Sequence, residues 1–225
     1  LAFLVVSLPG PLLALLLLPM REPVRHEKAR AATGNPASFR VFMQERALVF
    51  WLLAMGFSLI GVSIAAYLSW APAFMMRVHG WSITRVGAVY GGILLVFSTS
   101  GILMGGWWVD RPAARGFKDA VLKVAVAGSV LALPFAIGAP FAPTGEMAMA
   151  IIAVMSFAFG LSQGLPATAF QAVAPNRVRA RVIALYLLVG NIIAFTVGPT
   201  GVALISDYWL RDPAKIGIAI GVLSA

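Results

Sequence analysis

The chain has 225 residues, 60% of them hydrophobic and only 11% charged, with a mean hydropathy of +0.92, a balance that excludes a water-soluble domain. Its formal net charge of +9 and isoelectric point near 10.9 would suggest nucleic-acid binding in a soluble protein, but here the basic residues collect in short loops between apolar runs. Cysteine is absent and the two histidines, His26 and His79, lie in loops, so disulfides, thiol chemistry and thiolate metal sites are excluded, and no cofactor or metal is expected.

In chain order, Leu1 to Met20 is apolar but has no initiator Met or basic leader and is punctuated by Pro9, Pro11 and Pro19. It reads as the end of a transmembrane helix rather than as a signal peptide. Residues 21–46 form the longest polar stretch, with the breakers Gly34, Asn35 and Pro36, and read as a linker. Within it, Ser38 to Arg46 places Phe39, Phe42 and Met43 at helical spacing. That segment is either a short amphipathic helix on the membrane surface or an extension of the next span.

From Ala47 to Met76, and again from Ala148 to Ala174, no Asp, Glu, Lys, Arg or His occurs. A bilayer core needs about 20 apolar residues to be crossed by a helix, and in lipid a helix satisfies its own backbone. Spans are expected at about 47–75, 82–109, 120–139, 147–173, 182–206 and from 214 onward. The fold class is therefore all-α, a polytopic transmembrane bundle. Glycines four residues apart, at Gly87 and Gly91, Gly101 and Gly105, and Gly160 and Gly164, are the small residues that let helices approach in lipid.

Charge gives the orientation. Thirteen of the seventeen Lys and Arg fall in one alternate set of loops, at 21–46, 110–123 and 177–181. Arg77, Arg85, Arg211 and Lys215 fall in the other. Cytoplasmic loops accumulate basic residues, so loops 21–46, 110–119 and 175–181 are expected on the cytoplasmic side.

The most specific stretch runs from Gly101 to Lys118, GILMGGWWVDRPAARGFK. Gly106 followed by Asp110, Arg111, Arg115 and Lys118 resembles the cytoplasmic signature of the major facilitator superfamily, which lies between the second and third helices of each half. It departs from that pattern at Pro112 and in placing Gly116 after Arg115. The run from Ala174 to Trp209, with PAFMMRVHGWS at Pro72 to Ser82, is similar to the Spinster-type branch of that superfamily.

The resemblance implies that residues 47–225 are the C-terminal six-helix half of a 12-helix fold, its last helix incomplete and the chain truncated at both ends. Residues 1–20 would then end the N-terminal half, which is the partner of this bundle. It also implies that the Asp110 motif clamps the two halves in an outward-facing state. In local terms, Gly106 is expected to admit a neighbouring helix and Asp110 to sit near a helix N-terminus, where an anion is favoured. Arg177, Arg179 and Arg181 open the fifth span, where cations are unfavourable; a relay between Asp110 and one of them is expected to break during transport.

Polar and aromatic residues in mid-span are few: Ser63, Tyr67, Ser69 and Trp70; Tyr90, Ser98, Thr99 and Ser100; Ser162, Gln163 and Gln171; Tyr186, Asn191 and Thr196. Serine and threonine commonly return a hydrogen bond to their own helix. The substrate candidates are therefore Tyr67, Trp70, Tyr90, Gln163 and Asn191, with helix bonding or an interfacial aromatic belt as the alternatives. Gly198 and Pro199 make the fifth span the one expected to bend. No Asp, Glu, Lys, Arg or His lies deep inside a span, so either transport is uncoupled or the titrating acid lies outside this sequence.

The expected function is a secondary transporter of an amphipathic or organic-anion small molecule, working by alternating access in a bacterial inner membrane. A sugar-acid or drug carrier of another branch is the alternative. A membrane acyl or prenyl transferase would need clustered carboxylates, histidines or a metal, and the eight acids here are scattered singly.

Overall fold

A computed structural model of the protein describes residues 39–114, 119–211 and 216–224. Among these residues every regular element is helical, as a chain with apolar runs of this length requires if its backbone is to be satisfied away from water. Helix α1 spans Phe39–Val78. After a short loop, α2 (Ile83–Ile93), a π-helical turn (Leu94–Ser98) and α3 (Thr99–Ala114) form one continuous rod. Then follow α4 (Ala120–Gly138), α5 (Gly145–Gln163), α6 (Pro166–Val173), α7 (Arg179–Leu204), which runs into a second π-helical turn (Ile205–Leu210), and α8 (Ile216–Ser224). Five of the resulting rods are long and apolar enough to cross a membrane.

The ends of these helices follow local chemistry. Ser82 caps α2, its hydroxyl accepting from the Arg85 N–H at 3.3 Å, and Thr144 caps α5 in the same way through the Met147 N–H, which satisfies donors left over at a helix start. The π turn before Arg211 ends in that residue's left-handed conformation, φ 50°.

Arg46 leaves helical geometry (φ −128°, ψ 19°), so α1 is two helices joined at a kink. The short N-terminal piece carries Phe42 into the protein core, with Phe39 and Met43 packed alongside. The apolar face of this amphipathic segment is thus covered by the bundle, at least at Phe42. The fourth span, expected as one helix, is broken at Gly164 and Leu165 between α5 and α6, because Pro166 offers no N–H to continue the ladder.

Two separate apolar cores form. One gathers Tyr67, Phe74, Met75, Ile152, Met155 and Ile220; the other gathers Phe42, Phe50, Phe57, Phe170, Val182 and Tyr186. Helix α5 serves the first core and α6 the second.

Close helix crossings rest on particular glycines. A Cβ on Gly105 would come within 2.9 Å of the Leu161 Cα, and one on Gly101 within 3.0 Å of the Gly160 Cα. A Cβ on Gly198 would meet the Val62 carbonyl oxygen at 2.7 Å, where α7 crosses α1 in the most extensive helix pair of the bundle. Gly87, Gly91 and Gly106 would meet nothing within 4 Å. The expectation that Gly106 admits a neighbouring helix is therefore corrected for the described residues: Gly101 and Gly105, on the face turned to α5, do that.

Candidate functional site

Two open cavities, of about 230 and 200 Å³, indent the bundle. Side-chain period explains who lines them. On α1, Phe57, Gly61, Ile64 and Leu68 recur every three or four residues and so share one face. On α7, Tyr186, Gly190 and Ala194 do the same, and on α5, Ser156, Phe159 and Gln163. The first cavity lies between α1, the α5–α6 junction and α7; the second lies between α1, α2 with its π turn, and α5. Ile64, Leu68 and Gln163 line both, whereas α4 and α8 line neither.

The walls carry no Asp, Glu, Lys, Arg or His. Much of their hydrogen-bonding capacity is already committed to backbone. The Ser58 hydroxyl donates to the Ala54 carbonyl at 2.6 Å and the Ser162 hydroxyl to the Ala125 carbonyl at 2.9 Å. Tyr90 donates to the Tyr67 carbonyl at 3.2 Å, Tyr67 to the Ala136 carbonyl, and the Asn191 amide to the Leu187 carbonyl at 2.6 Å. By contrast, the side chains of Ser98, Ser156 and Gln163 and the Tyr186 hydroxyl hydrogen-bond to no described residue.

Of the five residues expected to meet substrate, the structure brings four to these walls: Tyr67, Tyr90 and Gln163 to the second cavity, and Gln163 and Asn191 to the first. Trp70 is corrected. It lines neither cavity, and its indole N–H donates to the Pro199 carbonyl at 3.0 Å, tying α1 to α7. Cross-helix bonds of this kind in a membrane are worth about 0.6 to 1.7 kcal/mol. Trp70→Phe should lower thermal stability by about that much in detergent while leaving both cavity walls in place; an unchanged unfolding midpoint would count against the tie. Pro199 lies inside continuous α7, and the departure from α geometry comes six residues later, in the π turn at Ile205–Leu210.

Ser156, Phe57 and Leu68 line the cavities without having been singled out from the sequence. Ser156 stands seven residues before Gln163 and Phe57 eleven before Leu68, same-face helical spacings that are the available signal.

At the end of the bundle that carries α3's C-terminus, Asp110 is exposed and pairs with no described cation. The Arg111 guanidinium instead lies 3.5 Å over the Trp107 ring. Arg177 and Arg181 are exposed, and the half-buried Arg179 has an Nε with no partner among the described residues. The relay between Asp110 and these arginines is thus not made in this conformation. Arg115 lies outside the described residues. Nearby, Lys123 sits 2.7 Å from Asp119 and its hydrogen bond holds that carboxyl below the usual carboxylate range. At the opposite end, Arg85 pairs with Glu146 at 2.7 Å and covers the Trp81 ring at 3.8 Å.

The sequence profile of the Major Facilitator Superfamily matches residues 1–199. An MFS-type efflux pump of Mycolicibacterium smegmatis is 29% identical over 72% of this chain and 38% of its own length. The uncharacterized transporter YybO of Bacillus subtilis is 30% identical over 31% of this chain and 16% of its own. Among solved structures, a bacterial homologue of the human lysosomal transporter Spinster, in an inward-facing and unoccupied conformation, matches with TM-score 0.66 and 24% identity, over 100% of this chain and 53% of that one. Its inward-facing, occupied form matches with TM-score 0.62 and 24% identity. The chain thus spans about half the length of these solved proteins, and less of the two sequence relatives.

Proposed function

The chain belongs to the major facilitator superfamily, a family of transporters and not of enzymes, and from that premise we propose that it forms one wall and one gate of a secondary transporter that moves an amphipathic or organic-anion small molecule by alternating access. It is a multi-pass membrane protein. We place it in a bacterial inner membrane, with loops 110–119 and 175–181 in the cytoplasm, because basic residues concentrate there.

The observation that carries the reading is the pair of neighbouring cavities, which share Ile64, Leu68 and Gln163 in their walls. Apolar walls with a few convergent polar tips suit a small molecule that is itself part apolar, and four of the five described membrane-length rods converge on them. Carriers hold substrate near the bilayer midplane between two bundles, so we read this face as the one turned to a second bundle. The fold shared with Spinster homologues supports the same arrangement. Since no Asp, Glu, Lys, Arg or His lies on these walls, coupling to a proton gradient would be carried by residues other than the wall described.

Counterflow with the full-length protein in proteoliposomes tests the reading. A lysolipid is expected to exchange, and a sugar acid to do so poorly, with the imposed pH gradient setting how much is accumulated. Exchange of the sugar acid alone would transfer the assignment to another branch of carriers.

A further inference from the structure

Within the second cavity, three uncharged polar groups stand out because nothing described satisfies them. Ser98 closes the π-helical turn of the second span, and Ser156 and Gln163 lie seven residues apart on one face of α5. Ser156 is a buried residue, 7% exposed, yet its hydroxyl is not shut off from the cavity. Opening onto the cavity, that hydroxyl and the amide of the exposed Gln163 are available to a ligand's polar groups, whereas the tyrosine hydroxyls on the same wall, at Tyr67 and Tyr90, have already spent their protons on backbone carbonyls.

The backbone around Ser98 points the same way. A π turn inserts an extra residue into the helical ladder, is rare, and recurs at functional sites. Here both its first residue, Leu94, and its last, Ser98, face the cavity. It is held from behind, because a Cβ on Gly160 would come within 2.6 Å of the Ser98 carbonyl oxygen. The turn is thus pinned against α5 by a glycine contact, and the hydroxyl it presents is fixed relative to Ser156 and Gln163.

We propose that Ser98, Ser156 and Gln163 form a subsite for the uncharged, hydrogen-bonding head of the substrate, a head that offers hydroxyl, amide or ester groups rather than a net charge. Two hydroxyls and one amide each donate and accept, which matches a diol or similar head, while a wall whose described residues carry no charge offers an isolated anion or cation no compensation from this side. The aromatic side chains of Tyr67, Tyr90 and Phe159 supply the apolar surround. This inference rests on the transporter reading above and narrows its substrate class toward the amphipathic arm and away from the organic anion.

The test uses the full-length protein in nanodiscs and three probes with the same alkyl chain: 1-O-dodecylglycerol, dodecyl phosphate and dodecylammonium. Dodecylglycerol is expected to bind most tightly, and Ser156→Ala and Gln163→Leu each to weaken it about fivefold, the loss of one uncharged hydrogen bond, without changing the affinity for dodecylammonium. Gly160→Ala, which displaces the π turn, should weaken dodecylglycerol as well. A charged probe that binds tightest, or dodecylglycerol affinity unaltered in both Ser156→Ala and Gln163→Leu, overturns the subsite and leaves the transporter reading standing. Failure of all three probes to bind the folded protein overturns the amphipathic substrate class itself, and the subsite with it.

Discussion

Gly105→Ala should destabilise the bundle by about 3 kcal/mol, the upper end of what overpacking costs, while Gly106→Ala, one residue along, should leave thermal stability unchanged. The reason is geometric. The Cβ added at Gly105 meets the Leu161 Cα at 2.9 Å, and backbone cannot rotate away as a side chain can, so α3 and α5 must part. Their separation would also loosen the Gly101 to Gly160 contact in the same crossing. At Gly106 the new methyl meets open space within the described chain. Unfolding midpoints of the two purified variants, compared in one detergent, decide the matter: equal midpoints would contradict the packing described.

Asp110→Asn should raise cytoplasmic accessibility. In the present conformation the Asp110 carboxylate has no described partner, and the Arg179 Nε is likewise unmatched. If the two ends meet in an alternate state, as the proposed relay requires, removing the charge withdraws their attraction from that state only. An exposed ion pair is worth up to about 1 kcal/mol, so the balance should move about threefold to fivefold toward the open cytoplasmic side. These 225 residues contain no cysteine, and with any cysteine elsewhere in the protein replaced, Gln171→Cys serves as a single reporter. Its maleimide labelling rate should rise by that factor in Asp110→Asn, and a rate equal to the parent's would remove the relay from the mechanism.

How much of this could be read from the residues depends on which forces leave a trace in composition. The spans did, because the cost of placing charge in hydrocarbon confines Arg and Asp to the loops, and the helices fall within a few residues of the expected limits except where α1 begins early at Phe39. The glycine spacing marked the α3–α5 crossing, but spacing alone could not separate Gly105, which is buried in it, from Gly106, which is not. Trp70 reads as wall or belt in the sequence because its partner, the Pro199 carbonyl, is 129 positions away. The π turns had no signature, since Leu94 to Ser98 differs from ordinary helix only in which carbonyl each N–H chooses. Of the candidate site, the aromatic and amide residues were visible by type; Ser156, an ordinary serine on an apolar helix, became notable only when the helices around it were assembled.

The break in the fourth span falls at a telling height. Helix α5 ends at Gln163 with its side chain between the two cavities, and α6 begins three residues later with Ala169 and Phe170 sunk in the other core. The break thus marks where the fourth span passes from one core to the other, and it sets an uncharged amide at that boundary, on the wall of both cavities.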